Sequence, residues 1–342
     1  MRIIEYSNEQ QSRWDSFVLQ QPGGTIFHTT AWMRAITRAF GYKPHYLAAE
    51  EDGNIAGVLP LFVTSNPLTG RTLISTPFAV YGGVCAASEE ARVALMDAAT
   101  GLAETSRVEY LELRTQEANS DLGFQTKNLY VTFDCPIEPD PERLLKQLPK
   151  DTRYMIRKAQ KAGLRSTKGN HQVDEFYEIY AESVRNLGTP VFSKKFFKVL
   201  LEEFGETAEI RMVWKDQKAL AGVMSFRFRD WILPYYGGST LEARQYAANN
   251  FMYWDLLEDA RQRGIKFFDF GRSKLGTGAH AFKSQWNMRE RALPYQFHLV
   301  KRQDMPNFSP ANPRFQRAIE LWKRMPFPLT KLLGPALVKL FP

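Results

Sequence analysis

A chain of 342 residues, 44% hydrophobic and 13% aromatic, can bury a large core, and its length points to two domains. The first residues hold no charged segment followed by an apolar run, and no stretch of about 18 apolar residues occurs, so neither a secretory signal nor a membrane-spanning helix is expected. Cys85 and Cys135 stand alone without metal-ligand or redox spacing, which fits small core residues in a reducing, cytoplasmic compartment. The five histidines are scattered, so no metal site is expected. The net charge of +8 is local. Between Arg143 and Lys168, nine Lys/Arg face only Asp151, and from Ala311 to Pro342 six face only Glu320. Such blocks fit either anionic partners or a solvated cationic surface.

In chain order, Glu9 to Gln20 and Thr30 to Phe40 read as helices, the second closed by Gly41. His45 to Glu50 and Ile55 to Thr64 read as a hairpin around Glu51-Asp52-Gly53-Asn54. A strand at Arg71 to Ser75, the triplet Tyr81-Gly82-Gly83, a helix from Ser88 to Ser106 and a strand at Val108 to Arg114 follow.

That order returns in the second half. Ala56 to Phe62 is echoed by Ala221 to Phe228, Tyr81-Gly82-Gly83 by Tyr236-Gly237-Gly238, and Tyr110-Leu111-Glu112-Leu113 by Phe267-Phe268-Asp269-Phe270. Three echoes in one order indicate two copies of one mixed α/β domain, with antiparallel strands first and a helix crossover later. The expected divisions are 1–140, an acceptor-side copy; 141–300, a donor-side catalytic copy; and 301–342, a basic amphipathic tail.

The second copy opens with a helix expected from an Asp151 N-cap to a Gly163 terminator. Arg153, Arg157 and Lys161 recur at i, i+4 and i+8 and so share a stripe, with Lys158 beside it and Met155, Ala159 and Ala162 on the buried side. Repelling charges at this spacing weaken a helix by a few tenths of a kcal/mol per pair, so the stripe is expected to face an anion; the plain alternative is a solvated helix face. Helices at Val173 to Asn186 and Ser193 to Phe204 flank the stiff joint Leu187-Gly188-Thr189-Pro190-Val191-Phe192, expected as a wall of the substrate cleft. Strands at Thr207 to Trp214 and Ala219 to Arg229 lead into the module around which the chain is organised.

That module runs from Trp231 to His298. A strand through Tyr235 and Tyr236 leads into a polar loop containing Arg244, then a helix from Ala247 to Arg263. The strand Phe267-Phe268-Asp269-Phe270 next runs into Gly271-Arg272-Ser273-Lys274. An apolar strand that stops at one acid, a glycine and a cluster of cations is how an α/β sheet presents chemistry at its strand ends. Asp269 there can orient or deprotonate an attacking amine, or simply pin the turn by pairing with Arg272. Phe282 and Trp286, at i and i+4, are expected to pack, leaving the Lys283 ammonium as an electrostatic clamp. Of adjacent Tyr235 and Tyr236, one belongs in the core and one lines the cleft. Ala247 and Asn249 stand where a pyrophosphate loop would carry glycines, which counts against coenzyme A. In the tail, Phe315, Ala318, Ile319 and Trp322, then Leu329, Leu332, Leu333, Ala336, Leu337 and Leu340, keep helical spacing, and Gly334-Pro335 is expected to break or kink the second run. Its apolar face fits an anionic membrane surface or the core of the second domain equally well.

Leu148 to Gly163, Leu187-Gly188-Thr189-Pro190, Phe268-Asp269-Phe270-Gly271-Arg272-Ser273 and Gly278 to Trp286 together resemble FemAB-like acyltransferases. The likeness is strongest to the branch associated with PEP-CTERM/exosortase systems, whose tail the Gly334-Pro335 segment also resembles. The resemblance implies two tandem GNAT-like (Gcn5-related N-acetyltransferase) domains in an α/β fold with mixed sheets. It also implies transfer of an aminoacyl group from aminoacyl-tRNA to an amine on a peptidoglycan precursor; for the PEP-CTERM branch it points to exopolysaccharide or glycolipid assembly. The expected activity is therefore acyl or aminoacyl transfer to an amine or hydroxyl of an envelope precursor. The alternatives are an acetyl-CoA-dependent N- or O-acetyltransferase of a sugar and a non-catalytic peripheral membrane adaptor. Asp269, Lys283 and Arg272 are the expected catalytic residues. Tyr235, Tyr236, Thr189, Lys274 and Asn250 are expected to bind substrate, and Arg153, Arg157, Lys158, Lys161 and Arg244 a donor phosphate or RNA. No tightly bound cofactor is expected; the donor is aminoacyl-tRNA or acyl-CoA. The expected partners are a small or glycolipid envelope precursor, the acceptor end of tRNA and, through 311–342, the inner membrane.

Overall fold

Turn chemistry and helix caps set most boundaries. The structure is a computed structural model that describes residues 1–117, 123–306 and 313–342, with the side chains of 313–315 outside the description, so the expectation for Phe315 lies outside it too. Two units divide the chain: Met1–Tyr130 with a return segment starting at Ala292 and the closing Lys339–Pro342, and Val131–Arg291 with the tail through Val338.

The first unit holds β1 (Arg2–Glu5), α1 (Gln11–Gln20), α2 (Thr30–Phe40), β2 (Lys43–Pro44), β3 (Leu47–Glu51), β4 (Asn54–Leu59), β5 (Phe62–Asn66), β6 (Gly70–Ile74), β7 (Cys85–Ala86), α3 (Glu89–Thr105), β8 (Tyr110–Leu113) and the start of β9 (Gln125–Pro136). Asp52 and Gly53 both take positive φ (49° and 78°), the turn that lets β3 and β4 pair antiparallel. Ser88 Oγ accepts the Ala91 N–H at 3.2 Å, and Glu89 and Glu90 sit in the first turn, so α3 starts where its cap and dipole favour it. Its buried face (Ala91, Leu95, Met96, Ala99, Ala103) shares a core with Leu73, Leu111 and Leu113. β5 and β6 are antiparallel, whereas β6 and β8, joined through α3, are parallel.

The second unit holds the rest of β9, then α4 (Pro141–Gln147), α5 (Lys150–Lys161), β10 (Arg165–Lys168), α6 (Val173–Leu187), α7 (Lys194–Phe204), β11 (Ala208–Lys215), β12 (Lys218–Phe228), β13 (Trp231–Ser239), α8 (Ala248–Gln262), β14 (Phe267–Lys274), α9 (Gly278–Ser284), the start of β15 (Arg289–Leu299), α10 (Pro313–Arg324) and α11 (Phe327–Leu337). Strands β10 to β13 are successive antiparallel neighbours. β14 lies parallel to β13 and next to β9. α8 supplies Phe251, Met252, Leu256, Leu257 and Ala260 to a core shared with Val131, Phe133, Ile156, Phe268, Phe270 and Trp286.

Each unit thus runs hairpin, strand, helix, parallel strand, the order the sequence echoes implied. One echo is not equivalent: Tyr236-Gly237-Gly238 lies inside β13, while Tyr81-Gly82-Gly83 follows β6 in a loop. The expected boundaries at 140 and 300 shift because β15 returns to pair with β8, and the expected separate tail is absorbed because α10 and α11 pack on α6. α5 starts at Lys150 behind Pro149, so Asp151 is a first-turn residue and not the cap. α11 continues through Pro335, where a break or a kink was expected, so the run is not broken there. Among the described residues no helix is long and apolar enough to cross a membrane.

Candidate active site

β13 and β14 pair only at Trp231–Phe267 and Ile232–Phe268. Beyond those two pairs they run on as Leu233–Ser239 and Asp269–Lys274, unpaired with each other, and the chemistry-bearing residues lie on this parted stretch. Asp269 is buried, and its Oδ1 accepts the Thr132 hydroxyl at 3.0 Å and the Gly271 N–H at 2.8 Å. The second bond closes a turn of the Asx kind on the strand itself. Gly271 sits at φ +73°, which a side chain adopts only with strain, so the glycine is what lets the acid turn its own strand.

From the opposite side α9 delivers Lys283. Trp286 is buried, and the rings of Phe270, Tyr253 and Phe282 lie 5.5–6.2 Å from it, so the base of α9 is fixed by aromatic packing. Lys283 Nζ donates to the carbonyls of Gly271 (2.8 Å) and Arg272 (3.1 Å) and lies 5.5 Å from the centre of the Phe270 ring. Although the stem is partly exposed, the ammonium is enclosed. Loss of water brings its pKa down to about 8, against the pull of Asp269 and with the push of Arg272. Lys283 therefore changes charge close to neutral pH. The Arg272 charge also reaches Tyr236, whose phenol burial holds well above its ordinary pKa. Tyr236 is boxed by Tyr180, Phe192, Phe197 and Tyr235 at centroid distances of 4.7–6.0 Å, and its hydroxyl has no hydrogen-bond partner among the described residues. Asp269, Arg272, Lys283 and Tyr236 therefore form one electrostatic neighbourhood.

The other expected site residues fall in different places. Tyr236 is the core member of its pair and Tyr235 is half-exposed. Lys274 is half-buried, and its carbonyl accepts the Thr277 hydroxyl at 2.7 Å, starting the turn into α9. Asn250 is buried in the first turn of α8 and Arg244 is exposed. In the loop before α8, the backbone N–H groups of Ala243, Arg244, Gln245 and Ala247 all donate to carbonyls of the same loop, and Ala247 takes φ +55°. Those amides are unavailable to a pyrophosphate.

On α5, Arg157, Lys158 and Lys161 are exposed, whereas Arg153 turns back to donate to the carbonyls of Lys146 and Leu148 at 3.0 and 3.1 Å. Arg153 thus caps the end of α4 through one nitrogen of its guanidinium, while it lines the same surface depression as Arg157. The buried side of α5 is Thr152, Ile156 and Ala159; Met155 only flanks that core and Ala162 is half-buried. Thr189 is exposed, and its joint chiefly seats the tail: Trp322 Nε1 donates to the Thr189 carbonyl at 3.2 Å. Only the end of that joint, Phe192, reaches the Tyr236 ring, at 5.7 Å.

Sequence reading missed Thr132. It lies on β9, where Val131-Thr132-Phe133-Asp134 is buried on both faces, with Asp134 held by Arg289 and Arg291. The β-branched and aromatic run from Tyr130 to Phe133 was the available signal. Burial pushes the Cys135 thiol up to about 12, away from thiolate chemistry.

Residues 146–284, within the second unit, match the family model described as an acetyltransferase (GNAT) domain. The crystal structure of FemX is similar to the chain, with a TM-score of 0.70 at 16% identity over 93% of this chain and 100% of that one. The C-terminal domain of a putative lysylphosphatidylglycerol synthetase from Agrobacterium fabrum follows at 0.58 and 13%, over 86% and 92% of the two chains. A tandem GNAT protein from the clavulanic acid biosynthesis pathway matches at 0.55 and 9%, over 89% and 99%. At these identities the likeness establishes the fold, two GNAT-like units in tandem. No curated protein matches the chain by sequence.

Proposed function

We propose that this enzyme transfers an activated acyl or aminoacyl group to an amine or hydroxyl of a cell-envelope precursor, of peptidoglycan or exopolysaccharide type. The observation that carries this reading is the gathering of Asp269, Arg272 and Lys283 around one glycine turn where β13 and β14 part. The acceptor nitrogen or oxygen attacks the acyl carbon and passes its proton toward Asp269. The new bond leaves an oxyanion that the cations stabilise. Collapse breaks the bond to the donor's leaving atom, which carries the proton away. Direct attack of this kind needs positioning and charge stabilisation and no covalent enzyme intermediate.

Three observations support an aminoacyl-tRNA donor over acyl-CoA: loop amides bonded within their own loop, side chains at Ala247 and Asn249, and the exposed cations of α5. The FemAB-like resemblance, and within it the PEP-CTERM-associated branch, supports an envelope acceptor and a peripheral position at the inner membrane. The second reading, an acetyl-CoA-dependent N- or O-acetyltransferase of a sugar, is favoured by the GNAT description of residues 146–284.

Calorimetry and turnover separate the two. The protein is expected to convert charged tRNA plus a nucleotide-linked muropeptide or amino sugar, with Asp269→Asn inactive, and to show no binding of acetyl-CoA. Micromolar acetyl-CoA binding together with acetylation of a sugar replaces the first reading by the second.

A further inference from the structure

The tail has two faces, and only one is used by the fold. On α11, Thr330, Gly334 and, one turn further, Val338 are buried at i, i+4 and i+8. Gly334 lies so close to Val191 that a Cβ there would meet its backbone at 2.9 Å, so the helix seats directly on the joint. Trp322 of α10 is buried as well, and Arg185 donates to the Met325 carbonyl between the helices at 2.8 and 3.0 Å. These contacts fix the orientation of the pair on the second unit.

The opposite face is apolar and open. Leu329, Leu332 and Leu333 of α11 and Leu321 of α10 are 46, 73, 43 and 66% exposed. Beyond the tail, Leu187 is 69% exposed beside Gly188, where a Cβ would meet Ile319 of α10. Single exposed leucines need no explanation, but four on two adjacent helices do. The cations around them outnumber the acids, of which Glu320 and Glu178 are each paired with a lysine. Arg317 and Arg324 are exposed and flank Leu321 at i−4 and i+3, on its own face of α10. Lys323 and Lys331 add charge, each paired to a carboxylate (Glu320 and Glu178).

We propose that this leucine face, edged by Arg317 and Arg324, lies on an anionic lipid bilayer as an interfacial anchor that does not span it. The cations meet the headgroups and the leucines enter the boundary below them. This deepens the membrane placement proposed above by naming the attaching face and the lipid charge, and it rests on that reading only for location. The docked helices lean on the joint that ends at Phe192 beside Tyr236, so a lipid-linked acceptor would be presented on the side from which the joint reaches the site.

The test uses the full chain and vesicles, without any substrate. Sedimentation is expected with vesicles of phosphatidylcholine and phosphatidylglycerol in equal parts, and at least tenfold weaker binding to phosphatidylcholine alone. Leu332→Ser with Leu333→Ser should weaken anionic-vesicle binding at least tenfold with an unchanged melting temperature. Arg317→Gln with Arg324→Gln should flatten its dependence on salt. Absence of binding at low salt, or binding indifferent to the leucine pair, overturns the proposal. So does a dimer that the leucine variant dissociates while vesicles are ignored, since a second copy then covers the face. Binding is read without turnover, so a failure here leaves the transfer chemistry standing, and an inactive protein that still sediments separates the two.

Discussion

Both units cross from one strand through a helix to a parallel strand that carries a carboxylate, and they use that acid differently. In the first unit Glu112 of β8 pairs at 3.0 Å with Arg114, a buried guanidinium that also donates to the carbonyls of Thr76, Ala79 and Pro342. There the acid is one leg of a bracket. In the second unit Asp269 takes the equivalent place in the echo, and Oδ1 receives a hydroxyl and a backbone N–H, both neutral donors. Lys283 arrives from another helix and is held on the carbonyls of that turn with a pKa of about 8. One scaffold position braces a guanidinium in the first copy and accepts a hydroxyl and a backbone N–H in the second, where the proposed chemistry would use it.

The largest expected effect tests the second half of that contrast. Asp269→Asn keeps the shape and removes the charge, and should lower kcat/KM on an identified substrate pair by a factor on the order of 10² to 10⁴. Normal turnover in this variant would return Asp269 to the role Glu112 has.

Lys283→Met separates chemistry from architecture more sharply. A lysine with a pKa of about 8 when folded binds fewer protons than the unfolded chain, whose lysine stays near 10.5. Its burial therefore subtracts stability at neutral pH, and the loss is relieved as pH rises between those two values. Replacing it with an apolar side chain of similar length should leave the melting temperature unchanged or raise stability by roughly 1–3 kcal/mol. Activity should fall by a factor on the order of 10² to 10³. In the unmodified enzyme, turnover that depends on the charged ammonium should decline as pH passes upward through about 8. A lower melting temperature in Lys283→Met would mean that the bonds to Gly271 and Arg272 pin the turn and do little else.

The bracket in the first unit gives the counterpart. Glu112→Gln leaves Arg114 short of a charge partner in a buried place and should lower stability by ~3 kcal/mol in urea denaturation. If the roles differ as described, the residual folded protein turns over normally. Gly271→Ala is milder: the added Cβ finds only Lys283 Nζ near it, at 4.0 Å, so the penalty is the positive φ, about 1–2 kcal/mol by thermal melting.

What the sequence disclosed follows the range of the forces involved. Local chemistry was readable in part: Asp52-Gly53 turns the first hairpin as expected, but the strand expected to stop at Asp269 runs on through Gly271 to Lys274, with the polar groups on the strand itself. β9 was unreadable because residues 131–134 are buried on both faces and show no alternation, which hid Thr132. Of the break or kink expected at Pro335, the break does not occur: the helix runs on, with Gly334 packed on Val191, a contact that the sequence does not show. Long-range contacts also decided the tail, where periodicity identified an apolar helix but not that it has an inner and an outer face.

The α5 stripe shows the same limit and yields the smallest effect. Helical spacing placed Arg153, Arg157 and Lys161 in one row, but spacing says nothing about where a long side chain finds its acceptors. Arg153 finds the carbonyls that end α4, so its loss should destabilise the α4–α5 corner and leave polyanion binding alone. Arg157, Lys158 and Lys161 remain in solvent, and converting all three to Gln should spare the fold. For single-stranded RNA the slope of log affinity against log salt should then flatten by ~2, about 0.7 for each charge removed. A slope that flattens for Arg153→Gln, or stays fixed for the triple variant, would mean that the anion is met elsewhere and that these cations only keep the surface solvated.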